Sequence, residues 1–198
     1  METKEKILNS AAKIFAEKSY DGSRVDQIAE HAGIPKSLIY YHFKSKESIL
    51  NTLIEAFISD LVRIQNNIKE IYEHEKTIAP NEQIIEKVVP FFQEKSDIMR
   101  IIMAESLKVC PSPPIFRVLK TVIDSKRSAA CRFNNIDYDN PKTVLREFIN
   151  YIIPVFTFSC LYNSFSDIYG FDRNLIIKHF IDIMDQNSCE NISIFENK

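Results

Sequence analysis

Apolar side chains recur at steps of three and four residues along most of the chain, the spacing that places them on one face of an α-helix. Prolines, glycines and polar clusters fall between these periodic segments, where helices are expected to begin and end. The pattern therefore predicts an all-α protein of about nine helices. The predicted helices cover residues 3–18, 25–31, 35–42, 45–71, 82–93, 96–109, 114–132, 141–167 and 172–185.

Individual residues refine the ends of these helices. Ser23, with Asp26 three residues later, resembles a capping box at the start of the second helix. Ser45 can cap the fourth helix, because a serine oxygen accepts a hydrogen bond from an otherwise free N–H group. Pro154 is expected to kink its long helix, since proline lacks the N–H that a helix interior needs. Residues from 187 onward are expected to form a frayed tail.

Composition narrows the classes of protein that the chain can form. With 198 residues, of which 45% are hydrophobic, it can build a sizeable core and is not a disordered chain. Its three glycines argue against a Gly-rich phosphate loop or dinucleotide-binding turn. The 25 basic and 27 acidic side chains give a formal net charge of -2, which excludes a wholly basic nucleic-acid coat but not a local basic face.

The sequence carries no pattern for catalysis or metal binding. The four cysteines are at least 20 residues apart, and none forms a CxxC pair or has a histidine at ligand spacing. A nucleophile elbow and a metal-spaced cluster of histidine and glutamate are also absent. We therefore expect no catalytic residue, no metal, no cofactor and no enzymatic activity.

A cytoplasmic location without a membrane partner is expected. The first residues show no basic segment leading into an apolar run with a small-residue cleavage site, as a secretory signal would. The most apolar stretch, residues 148–162, is shorter than the roughly 20 apolar residues that a membrane span needs. It is expected to be a helix that is buried on more than one side.

Residues 25–43 carry the most informative pattern, two short helices joined by a tight turn. Ala29 is small where the two helices would cross, and Gly33 can adopt the left-handed conformation that the turn requires. This is the helix-turn-helix pattern, whose second helix enters the major groove of DNA. The apolar residues that would hold the pair in place are Ile28, Ile34, Ile39 and Phe43.

The segment between His31 and Lys46 contains no acidic residue. Lys36, Lys44 and Lys46 give the same region positive charge, as a surface that faces phosphate groups needs. The second helix is expected to expose one polar and aromatic side. That side carries Lys36, Ser37, Leu38, Tyr40, Tyr41 and His42.

A pattern of about 48 contiguous residues resembles the amino-terminal DNA-binding domain of the TetR/AcrR family of bacterial regulators. Its parts are Ile7-Leu8-x-x-Ala11-Ala12-x-x-Phe15, Tyr20, Val25-x-x-Ile28-Ala29-x-x-Ala32-Gly33-Ile34 and Ile39-Tyr40-x-x-Phe43-x-Ser45-Lys46-Glu47-x-Ile49-Leu50. The resemblance implies a homodimer that binds a palindromic double-stranded DNA operator, usually as a repressor, and is released by a small-molecule effector. It also implies a DNA-binding domain over residues 1–48 and a ligand-binding and dimerisation domain over residues 49–198.

The resemblance assigns roles to single residues of the helix-turn-helix. Tyr40 and Lys46 fall where the family contacts phosphate, and Lys36, Leu38 and Tyr41 fall where side chains face bases or flanking phosphates. The full set expected at DNA is Arg24, Lys36, Ser37, Leu38, Tyr40, Tyr41, His42 and Lys46. The chain departs from the pattern at Ser19, Arg24, Ser37 and Leu38. Leu38 can offer only an apolar contact, for instance to a thymine methyl group.

Residues 49–198 resemble the family only in helical content and length. An effector pocket there could be lined by Phe57, Phe92, Met99, Met103, Phe116 and Tyr162, although each of these fits a hydrophobic core at least as well. The last two helices have more apolar surface than one packed face requires, which predicts a two-fold dimer interface. The residues expected there are Phe148, Ile152, Phe156, Ile176, Phe180 and Ile183.

A different class of protein also fits the larger part of the chain. A helical small-molecule carrier, or an enzyme, could carry the amino-terminal helices as a structural appendage that does not bind DNA. Specific binding of DNA distinguishes the regulator from this alternative.

Overall fold

The computed structural model of the chain describes residues 3–75, 90–91, 93–133 and 137–193. All regular structure in these residues is helical, which confirms the all-α fold class. The helices are α1 Thr3–Lys18, α2 Val25–Ala32, α3 Lys36–His42, α4 Lys46–Glu75, α5 Ser96–Ser106, α6 Pro114–Phe133, α7 Pro141–Glu147, α8 Ile153–Tyr169 and α9 Arg173–Ser193. Most of the helix predicted over 82–93 lies outside the described residues.

Two helix ends differ from the prediction. Helix α5 ends at Ser106 rather than near 109, and Leu107 caps it by donating its N–H to the Met103 carbonyl. Helix α9 continues to Ser193, so the tail predicted from 187 is wrong over residues 187–193. Residues 185–193 contain neither glycine nor proline, and nothing in the local sequence stops the helix.

Two helix starts show how serine side chains act at an N-terminus. The capping box predicted from Ser23 to Asp26 is wrong, because the Ser23 hydroxyl donates to the Tyr20 carbonyl at 2.6 Å. The cap predicted at Ser45 is confirmed. The Ser48 N–H donates to Ser45 Oγ at 3.1 Å, and the Ser45 N–H donates to Ser48 Oγ at 3.1 Å. This reciprocal pair fixes the start of α4.

The irregularity predicted at Pro154 is a π-helical turn. Residues Phe148–Ile152 form this turn between α7 and α8, and the Ile153 N–H donates to the Phe148 carbonyl five residues back. A proline ring clashes with the carbonyl four residues before it. The wider π-turn relieves that clash and lets the helix continue through Pro154 to Tyr169.

Contacts divide the chain into two compact units. The first comprises Met1–Leu61 and Lys95–Val118, and the second comprises Val62–Glu94 and Leu119–Lys198. In the first unit α1 packs against α2 and α5, and α2 packs against α3. The completely buried side chains of this unit are Ile7, Ala11, Ile28, Ile39, Ile49, Met99, Ile102 and Val118.

The second unit is built around α8 and α9. The rings of Phe158 and Phe180 stack between these two helices, with centroids 4.0 Å apart. Nearby in sequence, the buried Glu147 accepts a hydrogen bond from Lys126 Nζ at 2.5 Å. The continuous helical segment Pro141–Tyr169 is long and apolar enough to cross a membrane by length and composition alone, a test that core helices of soluble proteins also pass.

Gly33→Ala is expected to lower the free energy of unfolding by about 1–2 kcal/mol, the cost of a left-handed conformation for an L-residue. Gly33 has φ 61°, and an added Cβ would meet no atom within 4 Å, so the cost is that of the backbone alone. Gly170 has φ 69° and equally open surroundings, which makes Gly170→Ala a matched variant in the second unit. Urea denaturation at fixed protein concentration measures both losses.

Ser19 supplies the reverse control, because it already has φ 61° with a side chain in place. Ser19→Gly relieves this backbone strain but loses the hydrogen bond that Ser19 Oγ accepts from the Gly22 N–H at 3.2 Å. We expect these effects to offset each other within about 0.5 kcal/mol. An unchanged urea midpoint for Gly33→Ala would contradict the assigned strain.

Candidate nucleic-acid interface

The turn between α2 and α3 is built around the left-handed Gly33. The Gly33 N–H donates to the Glu30 carbonyl at 3.0 Å, and the Ile34 N–H donates to the Ala29 carbonyl at 3.1 Å. Both bonds satisfy carbonyls at the end of α2 that would otherwise lack partners. Pro35 then directs the chain into α3 from an extended conformation.

Buried apolar side chains hold this turn and its two helices in place. Ile28 and Ile39 are completely buried, one on each helix, and Phe43 directly after α3 is 4% exposed. Ala29 is buried where the prediction required a small residue. The opposite side of α3 is therefore free to face solvent.

The exposed side of α3 is aromatic and polar. Tyr41 is 82% exposed and Tyr40 is 49% exposed, with Lys36 and Ser37 also exposed on the same helix. Leu38 and His42 are half-buried, and the His42 ring meets Tyr41 edge to face at 5.1 Å. The structure thus brings six of the eight predicted DNA-binding residues together on one short helix.

Lys36 has an acidic partner, Asp26, that the sequence pattern did not predict. Its ammonium lies 2.8 Å from the Asp26 carboxylate and 5.9 Å from the centroid of the Tyr40 ring. The hydrogen bond to Asp26 raises the pKa of Lys36. Asp26 lies outside the acid-free stretch along the chain, but the turn at Gly33 brings it beside α3.

The Lys46 ammonium is held by backbone carbonyls of the connection between α1 and α2. The ammonium donates to the carbonyls of Tyr20 at 2.7 Å and Ser23 at 2.9 Å, and lies 4.4 Å from the centroid of the Tyr20 ring. In this structure Lys46 therefore fastens the connection between α1 and α2. The two carbonyls are 26 and 23 residues away in sequence, so no local pattern signals these bonds.

Several exposed cations of the first unit make no ion pair with any described carboxylate. Among them are Lys4, Arg24 and Lys44. Lys44 follows Phe43 at the end of α3, and Lys4 Nζ lies 6.0 Å from the centroid of the Phe43 ring. Lys4 and Lys44 were absent from the predicted set. Their charge is available to an anion at the carboxyl end of α3.

The described residues among the six predicted for an effector pocket are divided between the two units. Phe57 and Met99 are buried core residues of the first unit, where Met103 is half-buried and Phe116 is 50% exposed. Tyr162 is half-buried in the second unit, and Phe92 lies outside the described residues. Among the described residues, no group of three or more metal-binding side chains occurs.

The residues predicted for a dimer interface are divided between core and surface. Ile152, Phe156 and Ile176 are buried within the chain, Phe148 and Phe180 are half-buried, and Ile183 is 57% exposed. A more exposed apolar face lies elsewhere on α8. This face, which we call the α8 stripe, consists of Leu161, Phe165, Ile168 and Tyr169.

Comparisons with known proteins match the helix-turn-helix. Residues 7–53 match the family model of bacterial regulatory proteins, tetR family. The negative transcriptional regulator IcaR of the Staphylococcus aureus biofilm operon icaADBC is 36% identical over 67 residues, which is 32% of this chain and 36% of that protein. The uncharacterized HTH-type transcriptional regulator YerO of Bacillus subtilis is 27% identical over 110 residues, 54% of this chain and 37% of that protein. The chain thus spans about a third of the length of these curated relatives.

Solved structures resemble the chain over nearly its whole length. A transcriptional regulator from Streptomyces coelicolor, SCO4942, has a TM-score of 0.63 at 19% identity, with 93% of this chain and 97% of that chain covered. FadR from Bacillus subtilis, in complex with stearoyl-CoA, has a TM-score of 0.58 at 19% identity, with 91% and 97% covered. At these identities the likeness establishes a shared fold.

Proposed function

We propose that the chain is a DNA-binding transcriptional regulator of the tetR family, whose family model matches residues 7–53. A homodimer places one α3 helix per subunit into successive major grooves of a palindromic operator. The observation that carries this proposal is the exposed aromatic and polar side of α3, with the exposed cations Lys4 and Lys44 near its end. Tyr40, Tyr41 and Leu38 contact bases or flanking phosphates.

Repression is the direction of regulation that we propose. IcaR, which matches this chain over 67 residues, is named a negative regulator. A dimer bound at an operator blocks transcription by occupying the site, which needs no surface beyond those already described.

Selection from a pool of random double-stranded DNA tests the proposal. The full chain is expected to enrich a two-fold symmetric sequence, and a gel shift with that duplex should persist in the presence of excess random DNA. A carrier or enzyme with a purely structural helix-turn-helix would enrich no sequence. That outcome would refute the proposed function.

We place the phosphate contacts at Lys44 and Lys4 rather than at Lys46. Lys44→Ala is expected to reduce the slope of log affinity against log salt by about 2 per dimer, because each lost phosphate contact removes about 0.9. Lys46→Met weakens binding but leaves the slope within about 0.5, since its ammonium is already held by two carbonyls. Fluorescence anisotropy with the selected duplex between about 50 and 200 mM salt measures the slopes.

Lys120→Ala is the control for this comparison, because Lys120 is exposed and pairs along its own helix with Asp124 at 2.6 Å. It should leave both affinity and slope unchanged. If Lys46→Met reduces the slope as much as Lys44→Ala does, Lys46 reaches phosphate when DNA binds and the assignment is wrong.

We propose that the chain dimerises through the α8 stripe, because the apolar side chains of this stripe are exposed. Four large apolar side chains at helical spacing on one face are the kind of surface that a partner covers. Light scattering should give a mass of about 46 kDa, twice the 23.0 kDa of the chain. Ile168→Glu is expected to give a monomer, while Leu107→Glu, an equally exposed position in the first unit, should not. A wild-type monomer at all concentrations would refute this interface.

We also propose that a small-molecule effector releases the regulator from DNA. The FadR structure with stearoyl-CoA makes a long-chain acyl-CoA a reasonable first probe. Stearoyl-CoA should raise the melting temperature of the chain and lower its affinity for the selected duplex, since a ligand that binds one conformation better shifts the population toward it. If neither changes, acyl-CoA is not the effector.

A further inference from the structure

The connection between α1 and α2, residues 19–24, is tightly built. Ser19 has φ 61°, and a Cβ on Gly22 would lie 2.3 Å from the Lys18 carbonyl oxygen. Hydrogen bonds from the backbone and hydroxyl of Ser23 both end on the Tyr20 carbonyl. Arg24, the last residue of this connection, is also the cap of α2. The connection therefore leads directly into α2, which the turn at Gly33 joins to α3.

Lys108, which follows α5, holds this connection from a distance of 87 residues in sequence. Its ammonium donates to Asp21 Oδ2 at 2.6 Å and also pairs with Glu105 at 2.7 Å. The Glu105 side chain is only 13% exposed, so the carboxylate that pairs with Lys108 has little freedom to move. The hydrogen bond from Lys108 also holds the pKa of Asp21 below its usual value.

Tyr20 is the point where the contacts of this connection meet. Its ring packs against Phe15 of α1 with centroids 5.4 Å apart. Two ammonium groups approach the same ring, Lys46 at 4.4 Å from the start of α4 and Lys108 at 5.6 Å. Helices α1 and α4 and the segment after α5 are thus joined through one side chain, all within the first unit.

We propose that Lys108 is a positioning residue for DNA recognition. By holding Asp21 and the Tyr20 ring, it fixes the connection that sets the place of α2, and thereby the orientation in which α3 is presented to the operator. Lys108 does not contact DNA itself. This inference rests on the proposed function, because it concerns the same helix-turn-helix.

Substitutions at both ends of the ion pair test the proposal with the duplex selected by the wild-type chain. Lys108→Met keeps the aliphatic stem but loses the charge, and should weaken binding roughly fivefold, the scale of two exposed ion pairs per dimer. Asp21→Asn should weaken it similarly. The double variant should bind no more weakly than Lys108→Met alone, because Lys108→Met already removes the pair with Asp21. Lys108→Arg should restore most of the affinity.

The salt dependence separates positioning from direct contact. The slope of log affinity against log salt should stay within about 0.5 of the wild-type value in every variant, since no phosphate contact is lost. Lys120→Met is the matched control, because it breaks an ion pair of the same 2.6 Å length in the second unit. It should bind as the wild type does.

The other outcomes refute either the proposed function or the positioning role of Lys108. If the wild type enriches no duplex, the proposed function has failed and not merely the role of Lys108. If the wild type binds but Lys108→Met and Asp21→Asn bind equally well, the positioning role is refuted. A reduced slope in Lys108→Met would also refute it, by showing a phosphate contact. Equal weakening by Lys120→Met would refute it by showing a general effect of charge.

Discussion

Tyr41→Glu is expected to bind the selected operator about 100-fold more weakly than the wild type, because each lost or repelled contact costs about 1–3 kcal/mol and the proposed dimer presents two copies of α3. The Tyr41 side chain is 82% exposed on α3, so a carboxylate there would face the phosphates without disturbing the core. The free energy of unfolding should therefore change by less than about 0.5 kcal/mol. Anisotropy titration and urea denaturation measure the two quantities.

Two controls distinguish the effect of losing the Tyr41 ring from the effect of adding a negative charge. Tyr41→Phe keeps the ring and should retain most of the affinity if the ring supplies the contact. Lys120→Gln makes the same change in net charge at an exposed site in the second unit, and should bind as the wild type does. If Tyr41→Glu binds the operator as tightly as the wild type, α3 does not read DNA through its exposed side.

Phe15→Ala is expected to lower the free energy of unfolding by about 3–5 kcal/mol, the usual cost of truncating a buried phenylalanine. Phe15 is 1% exposed in α1 and packs edge to face against Tyr20. Its loss would leave a cavity under the connection that leads into α2, and DNA binding should be lost with it. Urea denaturation at a fixed protein concentration gives the first quantity and anisotropy the second.

Lys13→Ala is the control on the same helix, since Lys13 is exposed. Its free energy of unfolding should stay within about 0.5 kcal/mol of the wild-type value. A loss of less than about 1 kcal/mol in Phe15→Ala would show that this part of the unit is loosely packed.

The sequence was most informative where structure depends on near neighbours. Gly33, the buried Ile28 and Ile39, and the cap at Ser45 were all predicted from spacing within one or two helical turns, and the structure agrees. Helix propensity, caps and turns act over such distances, so a single sequence contains their signal.

Contacts between segments that are distant in sequence could not be predicted from local spacing. The acid-free stretch before Lys46 suggested a purely basic surface, yet Asp26 reaches Lys36 because α2 folds back against α3. The partners of Lys46 are backbone carbonyl groups. Every residue has such a group, so the residue types do not indicate which ones Lys46 contacts. Periodicity likewise marked α8 as apolar but did not distinguish its buried Phe156 from its exposed Phe165.

In the proposed regulator, the ion pair between Lys36 and Asp26 bears on the search for an operator among random DNA. A phosphate that approaches the Lys36 ammonium also meets the Asp26 carboxylate 2.8 Å from it, and the two negative groups repel each other. In the proposed regulator this repulsion would weaken brief encounters with random sequence, while a full set of operator contacts would outweigh it. Sliding along non-cognate DNA would then be faster than with an unpaired lysine at this position, because less charge attraction is lost at each step.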